Sequence, residues 1–150
     1  MAKISLRKAL QIKKNLTGEI TKVRATVMVH NSQRNPNRHI NVLELVAEFE
    51  SKVEKIIAIK TALAVANVSI YEDILRVDEL KGLISFYEGL NTEEEGQEFE
   101  AGEGFVKFTN TVAIDYSEKE SKIKTLKKEL EERLEKIDEF NSTHYIEIAD

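Results

Sequence analysis

The sequence has no cysteine. That removes disulfides, thiolate nucleophiles and cysteine-based zinc sites together, and it fits a reducing compartment. One proline and six glycines in 150 residues are too few for the many turns of a sandwich or barrel. No run comes near the roughly 18 apolar residues of a membrane span. The basic start MAKISLRKAL lacks the apolar stretch and the cleavage site of a secretory signal. The expectation is a soluble, cytoplasmic chain. Catalytic signatures are missing too: there is no GxSxG, GxxxxGK, HxxxH or DxDxDG, and no carboxylate pair stands out among 27 acids. The chain is therefore expected not to be an enzyme, and no metal or cofactor is assigned to it.

What is present describes a folded, helical chain. Hydrophobic residues make up 41% and charged residues 33%, too apolar for disorder, and the length suits a single domain over residues 1–150. The net charge of −5 hides an asymmetry. Residues 1–41 hold nine Lys/Arg and one acid, for +8, and residues 42–150 hold 13 Lys/Arg and 26 acids, for −13. The basic segment can meet the acidic remainder of its own chain or of a neighbour, or it can meet an anionic ligand. Nucleic acid fits poorly, because no helix-turn-helix pattern or aromatic stacking set accompanies the charge.

Apolar spacing of three and four residues predicts four helices. The first, about 5–29, carries Leu6, Leu10, Leu16, Ile20, Val23 and Val27, with Ser5 as N-cap. The second, about 41–67, opens on Asn41 and Glu44 as a capping box, with Ile40 stapled to Leu45. The third, about 73–90, carries Ile74, Val77, Leu80, Ile84 and Tyr87. The fourth, about 117–140, begins at a Ser117/Glu120 box and carries Ile123, Leu126, Leu130, Leu134 and Ile137 at near-heptad spacing. Its narrow seam suggests a further partner, such as another copy of itself. Residues 91–104 read as an acidic surface loop. Period-two alternation predicts strands at about 105–115 and 143–149, available to pair with each other. The fold class is mainly α: an antiparallel long-helix bundle or coiled coil with a small two-stranded β element.

Several of these stretches resemble the septicolysin-like family of small bacterial helical coiled-coil proteins: SLRKAL with Asn31 near the end of the first helix, LRVDELKGLISFYEGL, FVKFTNTVAID leading into the heptad helix, and the closing NSTHYIEI. The resemblance is strongest over Leu75–Leu90 and Phe105–Ile148. It implies a helical homo-oligomer, such as a hexamer, without an established enzymatic activity. The chain departs from the family's pattern in its first loop, which is basic where an acidic one is expected.

That loop, HNSQRNPNRHIN (His30–Asn41), is the most conspicuous polar break. Arg34 and Arg38 offer planar forks suited to phosphate. Asn37 and His39 add donors, and the helix starting after Asn41 adds free N–H groups. Lys8 of the first helix, and Lys107 and Thr109 of the strand, complete the candidate ligand-binding set. The plainer interpretation is a solvated turn whose arginines pair with nearby carboxylates. The function expected is a non-enzymatic homo-oligomer, even-numbered, that binds or sequesters a small anionic nucleotide-like ligand in pockets between subunits. A phage sponge for a signalling nucleotide of host immunity is one form this takes. The alternative is a structural or interaction protein whose coiled-coil surface engages a macromolecular partner.

Overall fold

The structure is a computed structural model that describes residues 1–35, 39–102 and 104–149, with the backbone alone described for 95–101 and 105–108. It is mainly helical. The order is β1 (Ala2–Ser5), α1 (Leu6–His30), α2 (Val42–Ala66), a 3₁₀ turn (Asn67–Ile70), α3 (Tyr71–Glu88), β2 (Glu95–Ala101), β3 (Gly104–Thr109), α4 (Tyr116–Thr143) and β4 (Tyr145–Ile148). The chain divides into two compact units, Met1–Tyr71 with Ile137–Asp150, and Glu72–Lys136.

In the first unit, α1 starts where the Ser5 hydroxyl accepts the Lys8 N–H at 3.2 Å, and α2 starts where the Asn41 side chain accepts the Glu44 N–H at 3.2 Å. Each oxygen satisfies a donor that the first helical turn leaves without a backbone partner. Glu19 meets Lys52, and Ile12 and Ile59 line one cleft. Later residues of one helix thus meet earlier residues of the other, as antiparallel packing requires. Leu6, Ala9, Leu16, Ile56, Ile59, Leu63 and Ile146 form the core. Beside it β1 pairs antiparallel with β4, Ala2 opposite Ile148 and Ser5 opposite Tyr145.

In the second unit, Leu80 and Ile84 of α3 pack with Ile123 and Leu126 of α4. Glu88 pairs with Lys127, and Asp73 with Arg133, so these helices are antiparallel too. The hairpin β2–β3 turns at Gly102, whose φ of +66° is cheap only without a Cβ.

Four expectations change. The β element is two ribbons, not one: β3 pairs back onto β2 and β4 pairs with β1. A local hairpin closes at less entropic cost than a pairing across α4, and AKIS was too short to reveal its alternation. Part of the acidic segment 91–104 is therefore strand β2, and the strand expected over 105–115 stops at Thr109, where Asn110 donates its N–H to the Glu94 carbonyl at 2.8 Å. The break expected between the second and third helices is only a 3₁₀ tightening, because no glycine or proline stands there. The fourth helix is capped by Asp115, whose carboxylate accepts the Glu118 N–H at 2.8 Å, two residues ahead of the Ser117 box. It also runs past Asn141 to Thr143, where the Ser142 and Thr143 hydroxyls bond back to the Glu139 carbonyl.

Candidate functional site

The expected anion-binding residues lie on separate parts of the chain. Arg34 and His39 are exposed on the segment between α1 and α2, while Asn37 and Arg38 fall outside the described residues. Lys8 sits on the first turns of α1, and its ammonium reaches Gln11 at 3.5 Å. The 22 residues from Lys8 to His30 span roughly 33 Å of helix, so Lys8 cannot share a small ligand with Arg34 in one copy. Lys107 and Thr109 belong to β3 in the other unit, opposite Glu98 and Glu95. The Lys107 side chain is outside the described atoms, and Thr109 is exposed. Within the loop, His30 Nδ1 is engaged by the Gln33 side-chain amide.

The charge of α1 is mostly unspent inside its own unit. Arg7 reaches Asp138 at 2.8 Å, and Lys3 lies over the Tyr145 ring at 5.4 Å. Lys13, Lys14 and Arg24 make no ion pair among the described residues. The first unit holds 12 Lys/Arg and nine acids, net +3, and the second holds ten and 18, net −8.

Among the described residues a cleft lies between α1, α2 and the end of the β1–β4 ribbon. It measures about 680 Å³ and has a floor of Ile12, Leu16, Ile59 and Ile148. Helical spacing puts Ile12 and Leu16 on one face of α1 and Lys52, Lys55 and Ile59 on one face of α2. At its rim Lys52 is clamped by Glu19 at 2.6 Å and Glu48 at 3.4 Å. The Glu19 hydrogen bond raises the Lys52 pKa against the opposing effect of burial, and Lys52 in turn lowers that of Glu19. Sequence reasoning missed this cleft. Ile12 and Ile59 belonged to no predicted stripe, and Ile148, although in the strand expected over 143–149, was expected to pair with 105–115 and not with the first residues, so the ribbon that closes the end was unrecognised.

The outward side of α2, continued through the 3₁₀ turn to the first residue of α3, carries a second feature. Ile57, Val65 and Val68 are 50%, 71% and 74% exposed, and Tyr71 is 57% exposed. With the exposed Ala64 they form a row that steps seven residues from Ile57 to Ala64, four to Val68 and three to Tyr71, with Val65 beside it, as in a helix-packing seam. The seam expected to seek a partner was that of α4, but there Ile123 and Leu126 are buried on α3, and Leu134 is the exposed remnant.

No helix among the described residues is long and apolar enough to cross a membrane. Compared with family models, curated proteins and solved structures, the chain matches none.

Proposed function

We propose that this chain is a non-enzymatic, cytoplasmic homo-oligomer that holds a small anionic, nucleotide-like ligand where copies meet. The observation that carries it is the outward row Ile57, Ala64, Val65, Val68 and Tyr71. A helix that buries one apolar face in its own unit and shows another at packing spacing is built for a second helix. A second copy suits the charge as well, since a net +3 unit of one molecule complements a net −8 unit of another.

The ligand is argued from α1, whose Lys13, Lys14 and Arg24 have no carboxylate partner among the described residues, and from the exposed Arg34 and His39 beyond its end. A second contact between copies, with two α1 helices antiparallel, would bring Lys8 of one copy toward Arg34 of the other. A pocket made that way needs the oligomer, in keeping with the assembly implied by the septicolysin-like resemblance. Sequestration, as by a phage sponge, requires nothing beyond such binding. Thermal shift against a panel of nucleotides tests the proposal. It expects stabilisation by phosphate-bearing compounds that is lost in Arg34→Ala. No stabilisation by any of them, with Arg34→Ala and Arg38→Ala behaving like the parent, overturns it.

A further inference from the structure

We infer that the cleft between α1, α2 and the β1–β4 ribbon binds an amphipathic anion, a molecule with an apolar chain and one negatively charged head. This is a second site, of different chemistry from the nucleotide-like one, and it lies wholly within the first unit.

The cleft has the size of a small-molecule site, about 680 Å³, within the range such sites occupy. Its walls alternate large and small residues. Ile12, Leu16, Ile59 and Ile148 supply apolar surface, while Ala58 leaves the space that a larger side chain would fill. An aliphatic chain laid there removes apolar surface of both partners from water.

The head group follows from the rim charges taken in turn. Lys52 is already compensated, since Glu19 and Glu48 hold it. Glu19 is compensated by the same pair. Glu54 lines the cleft too, and it also borders a shallow groove beside Phe49 and Val53. Lys55 remains. It shares the inner row of α2 with Lys52 and Ile59, it lines the cleft, and it makes no ion pair among the described residues. A carboxylate or sulfate at the end of an apolar chain can seat on Lys55 while the chain lies on the isoleucines. The clamped Lys52 stands at the rim beside it. The unit's net charge of +3 favours the same sign of ligand.

Calorimetric titration of the full chain with decanoate, octanoate and decylammonium tests this, all below their aggregation concentrations. The expected result is saturable binding of decanoate, one per chain, about tenfold tighter than octanoate because two methylenes leave water. Decylammonium should bind at least about tenfold more weakly. Ala58→Trp should abolish binding, since the indole fills the cleft from an exposed position, with the helical circular dichroism unchanged. Lys55→Gln should weaken decanoate about tenfold and leave decylammonium alone. Arg34→Ala should leave decanoate binding unchanged even if it removes nucleotide binding, so the two sites fail independently. The inference is overturned if no saturable binding is seen, if decylammonium binds as well as decanoate, or if Lys55→Gln and Ala58→Trp both bind like the parent. It is equally overturned if Ala58→Trp splits an oligomer that binds no decanoate, because then a second copy covers the cleft.

Discussion

The ammonium of Lys136 lies 2.8 Å from one carboxylate oxygen of Asp73, and the guanidinium of Arg133 takes the other. Asp73 is only 4% exposed and is the buried charged residue among the described residues. Lys136 first, and Arg133 next, hold its pKa below the ordinary 3.8, against the opposing effect of burial. A carboxyl whose folded pKa is depressed contributes stability that is whole above the unfolded value and is lost as the pH falls through the folded one. Asp73→Asn should therefore lower the melting temperature by several degrees at pH 7, since it leaves two cations facing a neutral amide. The gap between parent and variant should close as the pH drops below about 4. Thermal circular dichroism from pH 7 to pH 2.5 measures it. A gap that stays constant over that range contradicts the assignment.

The start of α4 can be located by substitution. Asp115 accepts the Glu118 N–H at 2.8 Å, and Ser117 already lies inside the helix. Asp115→Ala should cost about 1 kcal/mol of stability. Ser117→Ala should be neutral or slightly stabilising, because alanine is the better residue in a helix. Denaturant titration of the two variants checks this, and the reverse order of stabilities would restore the Ser117 box.

Gly18 stands in the middle of α1, where an added Cβ would meet nothing within 4 Å. Gly18→Ala should raise stability by about 0.5–1 kcal/mol, through the entropy that glycine loses on folding. A loss of stability in the same urea titration would mean that something packs against this face of α1.

Much of the architecture was legible because local chemistry wrote it. Ser5 and Asn41 announced the starts of α1 and α2 through oxygens that can reach back to orphan N–H groups, and both do so. The apolar steps of α3 and α4 marked Leu80, Ile84, Ile123 and Leu126, which meet. What was hidden depends on distant partners. Ala2–Ser5 becomes a strand only because Tyr145–Ile148 comes alongside, and nothing in four residues records a partner 140 positions away. The cap of α4 was misplaced by two residues because Asp115 and Ser117 both offer a capping oxygen with a glutamate three positions on. The candidate anion set was assembled from residue type alone, and type does not reveal that Lys8 and Arg34 stand at opposite ends of a 25-residue helix. The cleft escaped notice for a related reason. Ile12, Ile59 and Ile148 come from three elements, and only their packing makes a concave surface of them.

Light scattering coupled to size-exclusion chromatography tests self-association through the outward row from Ile57 to Tyr71 most directly. At tens of micromolar the parent chain should elute with a mass that is a multiple of 17.1 kDa. Val65→Glu combined with Val68→Glu should elute at 17.1 kDa itself with its helical signal intact, because both positions are exposed in the single copy. A parent that runs as a 17.1 kDa monomer, or a double variant that keeps the parent's mass, would contradict the account.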